Sequence, residues 1–265
     1  MSADLPQCLV PTAICPPGAE PLAHIGNRVG VLVLHGFTGS PWEVRPLAEI
    51  LVLQGYSVAM PILAGHCTTV TALAETTWSD WLTSARDALK WLHLHTDRVH
   101  CVGLSMGALL SILLSLEMDA AQDPRLVALA PAFAFHRWQR AAVLTFARLG
   151  FPARIGKADP LLAGGLVQPC YSQIPLRGAK QLLELMDVTR ACAWPQNRRS
   201  LVIHGDRDLT IPASDSCRRA RYVLGPLAQI VRMPKAGHLL PRTNQASQVI
   251  DLVLGELQAS GQVLP

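Results

Sequence analysis

The stretch that decides the fold runs Val99-His100-Cys101-Val102-Gly103-Leu104-Ser105-Met106-Gly107-Ala108-Leu109-Leu110-Ser111-Ile112-Leu113-Leu114-Ser115-Leu116. Its length and apolar character would pass for a weak membrane span. Two glycines and a serine at its centre argue against that. A buried strand to Leu104, a tight turn and a buried helix from Met106 account for the pattern better. The turn itself, Gly103-Leu104-Ser105-Met106-Gly107, is a G-x-S-x-G. A serine on so sharp a strand-to-helix turn is expected in a strained backbone conformation. Small residues two positions to either side let neighbouring chain pass close by. The helix N-terminus that follows favours negative charge developing at the hydroxyl.

Working outward, short and nearly continuous apolar runs recur at 29–34, 57–60, 126–129, 201–204 and 229–233, in addition to 99–104. Such runs read as strands buried on both faces of a parallel sheet. Helical patterns fall between them, at about 41–54, 78–94, 106–118, 180–192, 214–224 and 244–257. In the second of these, Trp78, Leu82, Ala85, Leu89 and Leu92 mark one face. The alternation predicts an α/β fold with a mostly parallel, doubly wound sheet. It breaks at about 131–179. That stretch holds Phe133, Phe135, Phe146 and Phe151, and its Arg137, Arg140, Arg148, Arg154, Lys157 and Arg177 face Asp159 alone. It reads as a small cap inserted over the carboxyl edge of a single domain spanning 1–265, since about 50 residues make a poor core alone. Within it, Trp138, Ala142, Phe146 and Leu149 recur at helical spacing, with Arg137, Arg140 and Arg148 largely off that stripe.

Composition narrows the function. Of 265 residues, 50% are hydrophobic and 16% charged, which excludes a disordered or collagen-like chain. The net charge of +4 is small and dispersed, which gives no case for nucleic acid. Seven scattered cysteines, Cys8, Cys15, Cys67, Cys101, Cys170, Cys192 and Cys217, have no Cys-x-x-Cys spacing. They match neither a disulfide framework nor a zinc site and fit a reducing, cytoplasmic compartment. Met1 to Pro17 has no basic and apolar signal-peptide pattern, and no transmembrane segment is expected. No metal site is expected either: His93 and His95 stand two apart and share no helix face.

Three further motifs follow predicted strands. His35-Gly36-Phe37-Thr38-Gly39-Ser40 leaves the 29–34 strand, and its Phe37 N–H, with that of Met106, would form the oxyanion donors an acyl-transfer serine needs. His204-Gly205-Asp206-Arg207-Asp208 leaves the 201–204 strand. Asp208, past the turn, is the favoured orienter of a histidine, and Asp206 reads as a turn residue. Gly237-His238 lies between the last strand and the last helix, which makes His238 the candidate general base. The order Ser105, Asp208, His238 is one of three unrelated triad orders. His66, in Gly65-His66-Cys67, and the aromatic Phe133 and Phe146 are candidate pocket residues.

On these residues the sequence resembles the α/β-hydrolase superfamily, in its bacterial carboxylesterase and monoacylglycerol-lipase-like branch. The resemblance runs from about Val29 to Leu257 and is only general across the insertion. It implies an eight-stranded core sheet, a small cap and hydrolysis of carboxylic esters without a cofactor. It also implies Ser105 as nucleophile, His238 as base, Asp208 as its orienter, and Phe37 and Met106 as oxyanion donors. Two positions depart from the usual pattern: Cys67, where Gly-His-Gly is frequent, and Ala108, where a further glycine is usual. The expected substrate is a small ester or a monoacylglycerol. Acyl thioesterase activity is the alternative, and a catalytically silent binding protein is the non-enzymatic one. The oligomeric state is not legible.

Overall fold

Along the central strands, successive side chains go to opposite faces, and both faces are covered. The computed structural model describes residues 5–135, 137–148, 154–156, 169, 171–195 and 197–259. Its strands are β1 (Leu22–His24), β2 (Val29–Leu34), β3 (Ser57–Met60), β4 (Arg98–Leu104), β5 (Leu126–Leu129), β6 (Arg154–Gly156), β7 (Gln173–Pro175), β8 (Ser200–Gly205) and β9 (Ala228–Met233). Its α-helices are α1 (Arg45–Leu53), α2 (Val70–Glu75), α3 (Trp78–His93), α4 (Met106–Glu117), α5 (Arg137–Arg148), α6 (Leu176–Ala191), α7 (Ala213–Leu224) and α8 (Ala246–Gln258). Val31, Val33, Val102, Leu104, Val127 and Leu129 pack on one face with Leu47 and Leu51 of α1 and Val249 and Val253 of α8. Leu32, Leu34, Cys101 and Ala128 go to the other, against Trp81, Leu109, Leu182 and Val223 of α3, α4, α6 and α7. The result is a three-layer sandwich, with the sheet strands as apolar as a doubly covered parallel sheet requires.

Seven strands form the main sheet in the order β1-β3-β2-β4-β5-β8-β9, and only β1 is antiparallel. The resemblance implies eight strands, so the described sheet is one short. The chain before β1 is broken by Pro6, Pro11, Pro16 and Pro17. Proline brings no N–H to a ladder, so this segment is poorly suited to extending the sheet past β1. Strand order reverses between β2 and β4, because β3 lies on one side of β2 and β4 on the other. Loops leaving the carboxyl ends of β2 and β4 therefore diverge around a crevice, the usual ligand position in such sheets.

The six core strands fall where the apolar runs predict them, to within a residue at each end. Several short elements escape the sequence pattern, β6 and β7 among them. β1 is a three-residue edge, and α2 is six residues long, capped by the Thr69 hydroxyl accepting from the Ala72 N–H at 3.1 Å. α3 begins with a capping box: the Asp80 carboxylate accepts from the Thr77 N–H, and the Thr77 hydroxyl accepts from the Asp80 N–H. α5 forms over the predicted amphipathic stretch and packs beside α6, to which Arg140 is tied by Asp187 at 2.7 Å. Arg140 is thus an anchor, where the sequence placed it off the apolar stripe. Arg154 likewise donates to the Thr71 hydroxyl of α2. Cys170, Leu149, Phe151, Lys157 and Asp159 lie outside the described residues, as do the side chains of Arg137, Trp138 and Arg148. No helix among the described residues is long and apolar enough to cross a membrane.

His100 on β4 is fully buried and its Nδ1 accepts the Arg125 N–H at 3.0 Å. Burial, with the Arg98 and Arg125 charges, holds its imidazole down to about 4, although Asp123 opposes them. Between that value and the free value of 6.5 the unfolded chain binds more protons, so stability rises with pH across this window. Acidifying from pH 6.5 to 4 should remove on the order of 3 kcal/mol through this group alone. Thermal unfolding followed over that range should show a falling Tm. His100→Gln, which keeps an acceptor but cannot titrate, should make the fall shallower by about one proton; an unchanged slope would exclude His100 as a contributor.

Candidate active site

The turn between β4 and α4 has no room for side chains at its two glycines. A Cβ on Gly103 would sit 2.2 Å from the Gly107 oxygen, and one on Gly107 would sit 2.5 Å from the Leu34 oxygen. Ser105 between them adopts φ 57° and ψ −111°, in the half of backbone space that residues with a Cβ avoid. The strain is held by three bonds: the Ser105 N–H donates to Leu129 O at 2.8 Å, and Ser105 O accepts from the Ala108 and Ala132 N–H groups at 3.2 and 3.3 Å. Ser105 is 7% exposed, at the carboxyl edge of the sheet and at the N-terminus of α4.

The loop leaving β2 lies against it. A Cβ on Gly36 would approach the Ser105 Cβ to 3.4 Å. The Gly36 N–H donates to Glu43 Oε2 at 2.8 Å and the Thr38 N–H to His66 Nε2 at 3.2 Å. Among the described residues, neither the Phe37 N–H between them nor the Met106 N–H donates to any protein acceptor. The Phe37 ring is wedged against Trp81 at 5.4 Å and His66 at 6.3 Å between centroids.

The other half of the site comes from the ends of β8 and β9. Gly205 is required there, because a Cβ would meet Ala236 O at 2.3 Å and Gly237 O at 2.5 Å. The two loops are stitched by Asp206 N–H to Met233 O and Arg207 N–H to Ala236 O, at 2.9 and 3.0 Å. This brings His238 Nδ1 to 2.7 Å from Asp208 Oδ2. The other carboxylate oxygen, Oδ1, accepts the Thr210 and Ile211 N–H groups at 2.8 and 2.9 Å. Burial pushes the fully buried Asp208 carboxyl up, but its contacts with His238, Ile211 and His204 outweigh this and hold it below the usual carboxylate range. An ionised Asp208 can only accept, so the imidazole proton belongs on Nδ1 and the Nε2 lone pair is free to act as a base. Asp206 points elsewhere and pairs with Arg232 at 2.6 Å. Ser105 Oγ makes no hydrogen bond to His238 among the described residues; such contacts commonly tighten only with substrate in place.

The structure separates the three candidate pocket residues. His66 is fully buried behind the Phe37 loop. Phe133 is also fully buried, in the core, with its carbonyl accepting from the Arg190 guanidinium. Phe146, on α5, is 45% exposed. Two side chains at the site escaped the sequence reading. Glu43 is 3% exposed, and its only signal was an acid shortly after the His-Gly turn, which also reads as a helix-start residue. His204 is buried with Nδ1 3.9 Å from Asp208 Oδ2, and its Nε2 has no partner among the described residues. Burial lowers its pKa despite the nearby Asp208 charge. No cluster of three or more metal-ligating side chains occurs among the described residues.

Comparison with known proteins gives this geometry a context. A model described as the alpha/beta hydrolase family matches residues 31–252. The chain is 29% identical over 223 residues to a thermostable monoacylglycerol lipase of Bacillus sp. (strain H-257), covering 84% of this chain and 87% of that one. A carboxylesterase of Bacillus subtilis (strain 168) is 32% identical over 94 residues, 35% of this chain and 38% of its own. Among solved structures, one of the metagenome-derived lipolytic enzymes LipS and LipT superposes with a TM-score of 0.81 at 28% identity, covering 91% of this chain and 98% of the other. A Paleococcus ferrophilus monoacylglycerol lipase shares the fold with a TM-score of 0.72 at 16% identity, over 91% and 100% of the two chains.

The two aspartates should respond differently to loss of charge. Asp208→Asn removes the negative charge facing His238 Nδ1 and should lower ester-hydrolysis kcat by roughly 10³- to 10⁴-fold. Asp206→Asn breaks only a half-exposed pair, worth about 0–1 kcal/mol, and should change kcat less than threefold or so. Steady-state kinetics of both variants on one ester decide the matter, and the reverse order would refute the assignment.

Proposed function

The chain belongs to the alpha/beta hydrolase family, and on that premise we propose that it is a serine carboxylic ester hydrolase acting through an acyl-enzyme on Ser105. The observation that carries this reading is the 2.7 Å Asp208–His238 contact, at the same sheet edge as the strained Ser105. Ser105 Oγ attacks the ester carbonyl carbon as His238 Nε2 takes its proton. The tetrahedral oxyanion is met by the Phe37 and Met106 N–H groups and by the positive end of α4. Collapse expels the alcohol, which leaves with the proton returned by His238. Water then repeats the sequence on the acyl-enzyme and releases the acid.

The substrate class is an ester with an apolar acyl chain, monoacylglycerols included. Two matched relatives support it, the Bacillus monoacylglycerol lipase and a metagenome-derived lipolytic enzyme. Residues 131–179 serve as a cap on one domain, with Phe146 toward the acyl chain, Phe133 in the core beneath and His66 behind the catalytic loop. The half-exposed Leu144 and Phe146 of α5 support this role, since apolar side chains on a cap suit an apolar guest.

Each buried methylene of an acyl chain stabilises binding by about 0.8 kcal/mol, nearly fourfold. For C2 to C12 esters, kcat/KM should therefore rise with chain length until the pocket is filled, and Phe146→Ala should flatten that rise. Equal losses at every length would mean that Phe146 supports the fold only. Ser105→Ala should cost roughly 10⁴- to 10⁶-fold in kcat at nearly unchanged Tm. More than a tenth of the activity remaining would end the serine mechanism.

A further inference from the structure

We propose that Glu43 and His66 are positioning residues that preset the Phe37 N–H as an oxyanion donor by occupying the N–H groups on either side of it. The proposal rests on the reading of Ser105 as nucleophile.

The evidence begins with the loop's backbone. Thr38 has φ 61°, a left-handed conformation that a β-branched residue avoids. Such strain persists only where surrounding contacts over-determine it. Here they do. The Gly36 N–H is taken by Glu43 Oε2 and the Thr38 N–H by His66 Nε2. The Thr38 carbonyl accepts the Tyr171 N–H at 3.1 Å, and the Ser40 hydroxyl donates to Pro169 O at 2.9 Å. Glu43 fills the space beneath the loop so closely that a Cβ on Gly39 would fall 2.1 Å from its Oε1. The Phe37 ring is fixed as well, since a Cβ on Gly178 would press on it at 2.9 Å. With both neighbouring amides tied down and the ring wedged, the Phe37 peptide has little freedom to rotate.

The tautomer of His66 follows from its surroundings. Its Nδ1 lies 3.1 Å from Ala64 O and 3.3 Å from Leu63 O, and carbonyls only accept. The ring proton therefore sits on Nδ1, and Nε2 is left as the acceptor that the Thr38 N–H needs. His35 returns the arrangement in the opposite sense. Its Nδ1 faces Gly36 O at 2.9 Å, and its Nε2 accepts the Leu63 N–H at 3.2 Å. The two rings meet edge to face at 4.9 Å. Each loop thus lends an imidazole to the other's backbone. A donor held this way needs no reorganisation when the oxyanion forms, which is where its catalytic value lies.

Thionoesters test this role, because the sulfur that replaces the carbonyl oxygen accepts hydrogen bonds weakly. His66→Phe and Glu43→Leu keep the packing but remove an acceptor. Each should lower kcat on the oxygen ester roughly 10- to 100-fold at nearly constant KM. The matched thionoester should lose little, so the ratio of the two rates collapses. His66→Gln and Glu43→Gln, which retain an acceptor, should restore most of it. Equal losses on both substrates would reduce the two residues to structural roles and overturn the proposal. A measurement on the unaltered protein guards against variants that do not fold. A through-hydrogen-bond ¹⁵N–¹⁵N coupling between the Thr38 amide and His66 Nε2 is expected, and its absence would also overturn the proposal. Labelling by a serine-directed phosphonate is followed in parallel: an unlabelled Ser105 refutes the underlying mechanism, whereas a labelled Ser105 with an unchanged ratio refutes the positioning role alone.

Discussion

Everything at the site depends on a close approach of backbone to backbone. The first turn of α4 runs against β4 and the end of β2 so tightly that neither Gly103 nor Gly107 could carry even a methyl group. Inserting one would force side chains or backbone to move, at a cost of about 1–3 kcal/mol or more in a well-packed interior. That contact obliges the chain to turn within a single residue, and Ser105 is that residue. Its positive φ is the geometric consequence, and its hydroxyl is thereby carried over the sheet edge. The buried strands on either side supply the rigidity that keeps such a strained turn in place.

The sheet order then decides which groups share that edge. Because β2 and β4 are neighbours at the point where strand order reverses, their loops open around one crevice and set Gly36 beside Ser105. β8 and β9 are neighbours farther along, and their loops are stitched to each other rather than to the serine. The site is therefore two preassembled halves, Ser105 with the loop leaving β2 and Asp208 with His238. The parallel sheet holds both at its carboxyl edge, so the relative placement of the halves is a property of strand register more than of any side-chain contact between them.

What was legible in the sequence follows from the same physics. Strands buried on both faces are continuous apolar runs, so β2, β3, β4, β5, β8 and β9 could be read directly. Ser105, Asp208 and His238 could be singled out because each follows such a run, and Gly103, Gly107 and Gly205, which close packing demands, mark the turns of the first two. β1 and α2 are too short to show periodicity. Glu43 was invisible for another reason: an acid near a helix start has an ordinary explanation in the helix dipole. Only the fold reveals that its carboxylate turns back to Gly36. His66 was noticed as a loop histidine, but its partner Thr38 lies 28 residues away, and no local pattern encodes that contact. Among the described residues the main sheet holds seven of the eight strands the resemblance implies, and the prolines of the first segment suit it poorly to extending the sheet past β1.

The two aspartates of the β8 loop show how burial and charge are reconciled. Asp206 stays half exposed against Arg232, where solvent screens the pair. Asp208, two residues on, is withdrawn from water altogether, which would ordinarily favour its neutral form. The His238 imidazole on Oδ2, with the Ile211 N–H on Oδ1 and the neighbouring His204, reverses that preference. The Thr210 and Ile211 N–H groups on Oδ1 matter most for chemistry, because they do not depend on the protonation of His238. In the proposed mechanism, an imidazolium formed on proton transfer from Ser105 would find its counter-charge already in place and already oriented. A carboxylate fixed in this way would stabilise such a charge without rearranging, whereas water would have to turn its dipoles to do the same.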